Sequence, residues 1–342
     1  MNEDAKKIAI LCGVFNDGYQ PTTRALFWKI FHENNDSIDN VIASGRHDVS
    51  ELLKRSGSVD YSISKMEGMG IKITTIMDED YPQNLRKKLG DKCPPMLYYS
   101  GDPGINQHRF VGYVGSRNVD DADRAWTEKM VAKNMNNRYG VVSGGAKGID
   151  VISTRHALSL GNYAIEFLAD GLLKRIMDPT SINYILKGKS LLYSATSPHT
   201  KGNRNYFVAS AMERNKFIYA QSSETVVVKS GLNEGGTWAG ATDALKNNWC
   251  KVYVWDQKSY PGNQALIERG GIGLDDNGEI TIDNSMIPAK EGGNSKENAE
   301  YEQITLFGAL EQTTAGEMST REHTSLGDSV GNSESMLPER RF

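Results

Sequence analysis

The 342-residue chain has little cysteine and no long apolar run. No stretch approaches the roughly 18 apolar residues that a membrane-spanning helix needs, so we expect no membrane segment. The charged N-terminus leads into a short apolar stretch without a small-residue cleavage site, so we expect no signal peptide and a cytoplasmic location. Cys12, Cys93 and Cys250 lie far apart and are odd in number, which argues against a disulfide framework and a cysteine metal cluster.

Charge of one sign does not dominate the chain, but it is unevenly distributed. The formal net charge is −4. Residues 1–270 carry 34 bases and 29 acids, whereas residues 285–342 carry five bases and ten acids. A mildly basic front and an acidic back fit a nucleic-acid-binding body with an acidic tail, although ordinary surface variation produces the same split.

Composition and periodicity divide the chain into four segments. Residues 1–75 show short amphipathic patterns that predict a small helical domain of the SAM or helix-hairpin type. Residues 76–107 contain Pro82, Pro94 and Pro95 and are interpreted as a linker. Residues 285–342 are rich in Gly, Ser, Asn and Glu, and we expect a flexible, disordered acidic tail.

Residues 108–284 alternate between apolar runs and helical patterns. The predicted strands are 110–114, 141–143, 163–168, 191–194, 225–228 and 252–255, and the predicted helices are 122–137, 149–160, 204–220 and 238–248. Near-continuous apolar strands joined by helices indicate a parallel sheet covered on both faces. The fold class is therefore α/β, with a Rossmann-like doubly wound parallel sheet.

Glycines follow three of the predicted strands, each time beside a base. They lie at residues 115–117, at residues 143–150, and at residues 229–231 with 235–237. Glycine lets backbone N–H groups approach an anion closely, and a following helix directs its positive end to the same place. Arg117, Lys147 and Lys229 add full positive charges, so the loops predict a phosphate-binding crevice at one edge of the sheet.

The crevice matches no standard nucleotide fingerprint. The first turn lacks G-x-G-x-x-G, and residues 144–148 lack the Lys-Ser/Thr ending of a P-loop. The six histidines are scattered without metal-ligand spacing, and Ser143 does not stand in a G-x-S-x-G elbow. We therefore predict a binding site without a catalytic set, a metal or a cofactor.

Several blocks together resemble the DNA-processing protein A (DprA/Smf) family, from about residue 10 to residue 270. In chain order they are Asp80-Tyr81-Pro82, residues 94–98, Gly101, residues 114–117, residues 142–150, Arg214-Asn215-Lys216, residues 220–222, Lys229-Ser230-Gly231 and Gly262-Asn263. Each block is weak alone, but their shared order is specific. The chain is identified as a divergent member, since Thr154 stands where the family commonly has His and Lys147 where Arg is usual.

The resemblance implies single-stranded DNA binding without catalysis. Members of the family commonly form homodimers and deliver strands to a RecA-type recombinase during recombination or DNA uptake. The implied DNA-binding residues combine the glycine loops with the later basic block: Gly115, Ser116, Arg117, Ser143, Gly144, Gly145, Lys147, Gly148, Arg214, Asn215, Lys216 and Lys229.

Two other functions stay open at this point. The divergence fits an antitoxin or phage-defence regulator that acts on a cognate toxin. Residues 235–237 look like the phosphate loop of LOG-type nucleotide hydrolases, which suggests a nucleotide sensor or hydrolase. Those enzymes need an acidic residue shortly after the loop, and here the first one is Asp243, which argues against hydrolysis.

One island in the tail has its own pattern. Gln303, Leu306 and Phe307 read Q-x-x-L-F, which resembles the motif by which bacterial DNA-repair proteins bind the sliding clamp. The alternatives are an amphipathic helix over residues 298–312 that packs on the body, and a contact with another partner such as a toxin.

Overall fold

The computed structural model describes residues 1–136, 139–198, 200 and 204–279. The predicted acidic tail lies outside these residues, and so does its motif at Gln303, Leu306 and Phe307. Among the residues described, none of the helices combines the length and hydropathy that crossing a bilayer requires.

Helices surround a central sheet. They are α1 (Glu3–Cys12), α2 (Arg24–Glu33), α3 (Ile38–Ala43), α4 (His47–Leu53), α5 (Ser56–Glu67), α6 (Gln83–Leu89), α7 (Asp121–Asn136), α8 (Ile149–Ser159), α9 (Leu173–Ile176), α10 (Pro179–Leu186), α11 (Arg204–Gln221), α12 (Gly235–Asn247) and α13 (Pro261–Glu268). In α2, the Thr23 hydroxyl caps the first turn, and Phe27, Ile30 and Phe31 recur on one buried face.

The described strands form a nine-stranded sheet. They are β1 (Lys72–Thr75), β2 (Met96–Ser100), β3 (Phe110–Gly115), β4 (Gly140–Ser143), β5 (Ala164–Leu168), β6 (Ser190–Ser194), β7 (Glu224–Lys229), β8 (Lys251–Trp255) and β9 (Ile272–Leu274). Their order is β1-β2-β6-β5-β4-β3-β7-β8-β9. Strands β3 to β9 pair in parallel, whereas β1 and β2 add two antiparallel connections at one edge. This confirms the predicted Rossmann-like doubly wound sheet.

The interpretation of residues 76–107 as a linker is wrong. Helix α6 and strand β2 lie in this segment, and all five residues of β2 are buried. Pro94 and Pro95 directly precede β2, so they lie at the start of a strand and do not belong to a continuous loop. Strand β1 pairs with β2, so the end of the predicted helical domain takes part in the same sheet.

The core occupies both faces of the sheet. On one face, Trp126 of α7 stacks on Trp255 of β8, with ring centroids 4.7 Å apart. On the other face, Phe167 of β5 packs edge-on against Phe217 of α11. The N-terminal helices are held partly by Arg55, whose buried guanidinium donates to the backbone oxygens of Ile10 and Gly13. Helices on both faces leave the carboxyl ends of the parallel strands as the open edge.

Candidate nucleic-acid interface

The crevice lies where the strand order reverses. Strand β3 has β4 on one side and β7 on the other, so the connections that leave them diverge. Ligands of doubly wound sheets bind at such a switch point, beyond the carboxyl ends of the strands. A cavity of about 580 Å³ lies here between the ends of β3 and β7, helix α11 and the N-terminus of α12. We call it the switch-point cavity.

The loops after β3 and β4 touch each other at a glycine. Gly148 has a φ of +83°, and a Cβ built on it would lie 2.2 Å from the Ser116 carbonyl oxygen. The Ile149 N–H donates to that same oxygen at 3.3 Å. Only glycine accommodates both the positive φ and the close approach of the Ser116 oxygen. The predicted glycine loops after β3 and β4 therefore meet at one place.

A buried ion pair crosses the floor of the crevice. Arg214 Nη1 on α11 donates to Asp150 Oδ2 on α8 at 3.2 Å, and both side chains are buried. Burial raises the pKa of Asp150, and the Arg214 charge acts against that rise. A Cβ on Gly144 would lie 0.9 Å from Arg214 Nη1, so this glycine makes room for the guanidinium.

Lys229 is also paired with acidic groups. Its Nζ lies 2.7 Å from Asp123 Oδ2, 3.6 Å from Asp120 Oδ2 and 4.5 Å from the centre of the Tyr260 ring. Burial is the largest single effect and lowers its pKa, but the hydrogen bonds to Asp123 and Tyr260 and the attraction of the Asp123 carboxylate together outweigh it, so the pKa of Lys229 is raised overall. Lys229 lines the switch-point cavity with a charge that the protein already balances.

A second cavity, of about 650 Å³, is lined by cations of a different kind. Arg117, Lys147, Arg155 and Lys174 are all exposed here, and none of them makes an ion pair with another described residue. We call these four side chains the outer basic surface. Arg175 lies beside them but donates to the Gly145 carbonyl at 2.9 Å and pairs with a carboxylate. The four cations outnumber the two carboxylates, Asp170 and Asp178, that line the same cavity. Exposed positive charges around glycine loops are what a phosphate chain needs.

Thr154, which stands where the resembled family commonly has His, lies in the wall behind the outer basic surface. Thr154 donates to Glu166 Oε1 at 2.8 Å, and Arg175 Nη2 lies 3.0 Å from Glu166 Oε2. The carboxylate of Glu166 is therefore fully engaged inside the wall. The threonine acts here as a structural hydrogen-bond donor.

The remaining predicted residues are distributed unevenly. Gly115, Ser116 and Asn215 line the switch-point cavity, and Gly145 lines the second cavity. Ser143 is fully buried, and its hydroxyl donates to the Tyr113 carbonyl at 2.6 Å. Lys216 lines neither cavity, because it points to α12 and pairs with Asp243 at 3.6 Å.

Sequence reasoning missed three basic residues that line the second cavity: Arg155, Lys174 and Arg175. Arg155 is exposed on α8 and lies seven positions after Gly148, which is helical spacing and therefore a usable signal. Lys174 and Arg175 come shortly after the carboxyl end of β5, where the same strand-end rule applied to β3 and β4 would have found them.

A doubly wound sheet with a glycine-lined crevice at its switch point defines a Rossmann-like fold. The profile of the family described as DNA recombination-mediator protein A matches residues 72–283, which is more than half of the chain. The chain belongs to this family.

Individual relatives agree with that membership. The chain is 26% identical over 256 residues to Protein Smf of Synechocystis sp., with 71% of this chain and 61% of the relative covered. It is 29% identical over 199 residues to DNA processing protein DprA of Streptococcus pneumoniae, with 56% of this chain and 66% of the relative covered. Both matches thus span less than two thirds of the relative's length.

A solved structure shares the fold. The X-ray structure of DNA processing protein A from Streptococcus pneumoniae superposes with a TM-score of 0.58 at 20% sequence identity. The superposition covers 74% of this chain and 90% of that chain.

Proposed function

We propose that the chain binds single-stranded DNA along the outer basic surface and acts, without catalysis, as a recombination mediator or a DNA-processing factor. The observation that carries this proposal is the set of four exposed cations without ion pairs around the glycine loops. Cations that contact phosphates position a strand but read no sequence. The expected binding is therefore indifferent to sequence.

Aromatic side chains favour a single strand over a duplex. Phe207 of α11 lines the same cavity as the four cations, and Tyr206 packs edge-on against it at 5.4 Å between ring centroids. Unpaired bases stack on such rings, whereas the bases of a duplex are already stacked on each other. Cations interleaved with an accessible ring are typical of single-strand binding.

The non-catalytic role is carried over from the sequence and the family and stays part of the proposal. Among the described residues, neither cavity is lined by His or Cys, and no group of three or more His, Cys, Asp or Glu side chains is arranged to hold a metal. Homodimer formation, a RecA-type partner and a cytoplasmic location stay predictions that follow from the family and the sequence.

A titration tests the proposal. Labelled oligo-dT of two lengths, and a duplex of matched length, are titrated with the full chain at several salt concentrations. We expect tighter binding of the longer single strand, and a slope of log affinity against log salt of about −3, since each of four phosphate contacts contributes about −0.7. Absent or salt-independent binding would contradict the proposal and favour a partner-binding role.

A further inference from the structure

The switch-point cavity offers polar groups that have no partner. Helix α12 begins there at Gly235, with a φ of +80°, and no side chain caps its first turn. The first N–H groups of a helix lack intrahelical acceptors, and together they attract an anion. In this helix they open into the cavity beside Gly236 and Thr237.

Two buried side chains add an independent observation. Tyr219 Oη and Arg214 Nε have no hydrogen-bond partner, although Tyr219 is 0% exposed and Arg214 is 5% exposed. Both side chains line the switch-point cavity. A buried polar atom without a partner is costly, so such atoms indicate a ligand that completes their hydrogen bonds.

The N-terminal half of α11 forms an apolar part of the cavity wall. Val208, Ala211 and Met212 of α11 line it, with Val208 52% exposed and Met212 49% exposed. Large apolar side chains that stay half exposed beside polar donors suit a ligand with one flat apolar face. A nucleobase has such a face.

The charge of the cavity limits how much phosphate it accepts. Arg214 and Lys229 are paired with carboxylates, and Glu234 adds a further carboxylate at the rim. Among the described lining residues, Arg117 is left as the cation without an ion pair. This balance suits one phosphate and does not suit a run of them.

We propose that the switch-point cavity binds a single nucleotide, with its phosphate at the N-terminus of α12 and its base against Val208 and Met212. The inference rests on the proposed function and refines it. The outer basic surface follows the phosphates of a strand, and the cavity receives one nucleotide, as the end of that strand or as a free nucleoside monophosphate. The Tyr219 hydroxyl and Arg214 Nε complete the polar contacts.

Calorimetric titration of the full chain with dTMP and with thymidine tests this inference. We expect one dTMP per chain and weaker binding of thymidine, which lacks the phosphate. Tyr219→Phe removes one hydrogen-bonding hydroxyl and should weaken dTMP binding about two- to tenfold. Met212→Glu should weaken it further. Leu160→Glu introduces the same charge at an apolar residue that is 43% exposed outside the cavity, and should bind like the wild type.

The outcomes separate the two proposals. Wild-type binding of oligo-dT without any dTMP binding at millimolar concentration would overturn the single-nucleotide site and leave the proposed function intact. Binding of dTMP that neither Tyr219→Phe nor Met212→Glu changes would overturn the assignment to this cavity. Binding of dTMP at the cavity, without oligo-dT binding, would support the site and overturn the strand-binding function.

Discussion

Two groups of cations stand within one crevice, and they differ in what surrounds them. Arg214 and Lys229 are paired with the carboxylates of Asp150 and Asp123, and their side chains are 6% and 24% exposed. Arg117, Lys147, Arg155 and Lys174 are exposed, and none of them pairs with another described residue. A paired, buried charge holds the crevice in shape, whereas a free, exposed charge is available to phosphate. A basic residue within a motif that resembles the family is therefore not by that fact alone a DNA contact.

The largest effect is expected where a buried pair is broken. Arg214→Met leaves Asp150 as an uncompensated buried charge, and should lower the free energy of unfolding by about 3–5 kcal/mol. Urea denaturation measures this loss. The double variant Arg214→Met/Asp150→Asn removes both charges and should recover part of the stability, and a loss below about 1 kcal/mol in the single variant would contradict the pairing.

An intermediate effect is expected at Lys229. Lys229→Met leaves the buried Asp123 without its charged donor and should lower the free energy of unfolding by about 1.5–3 kcal/mol. The pKa of Lys229 is raised above its ordinary 10.5, so its contribution is complete below that value and is lost as the pH rises through the folded-state pKa.

The pH dependence of the stability loss in Lys229→Met tests this prediction. The stability difference between wild type and Lys229→Met should stay constant from about pH 7 to about pH 10 and shrink above it. A difference that already disappears near neutral pH would show that Lys229 is not held by these carboxylates.

A smaller effect, on binding alone, is expected at one exposed cation. Lys147→Gln should reduce the magnitude of the oligo-dT salt slope by about 0.7, the share of one phosphate contact with a single strand. The urea midpoint should not change, because Lys147 is exposed and makes no ion pair with a described residue. An unchanged slope would remove Lys147 from the interface.

The smallest effect is expected at Lys216, which serves as the matched control. Its side chain is 35% exposed and pairs with Asp243 on α12, on a side of α11 that lines neither cavity. Lys216→Gln should therefore leave the salt slope of oligo-dT binding at its wild-type value. A reduction equal to that of Lys147→Gln would mean that the DNA path also crosses the α11–α12 face.

The sheet was predictable from the sequence because its strands are apolar on both faces. Strands β3 to β8 coincide with the predicted apolar runs, and the glycine loops that follow three of them meet at the switch point. Strand β2 was not predicted although it is equally buried, because Pro94 and Pro95 directly before it are typical loop signals.

The division of the cations was not predictable, because it depends on contacts between distant parts of the chain. Arg214 and its partner Asp150 are 64 positions apart, and Lys229 and Asp123 are 106 positions apart. Local patterns show that a base is present, but only the fold shows which carboxylate lies opposite it. Arg155 and Lys174 are different, because helical spacing after Gly148 and the carboxyl end of β5 are local signals from which both could be predicted.

The most direct test of the account is the salt dependence of oligo-dT binding by a combined variant. The combined variant carries four substitutions: Arg117→Gln, Lys147→Gln, Arg155→Gln and Lys174→Gln. The log of its affinity for oligo-dT is plotted against the log of the salt concentration and compared with the wild type. We expect the magnitude of the slope to fall by about 3 while the urea midpoint is retained. A slope equal to that of the wild type, in a variant that still folds, would contradict the assignment of the outer basic surface to DNA.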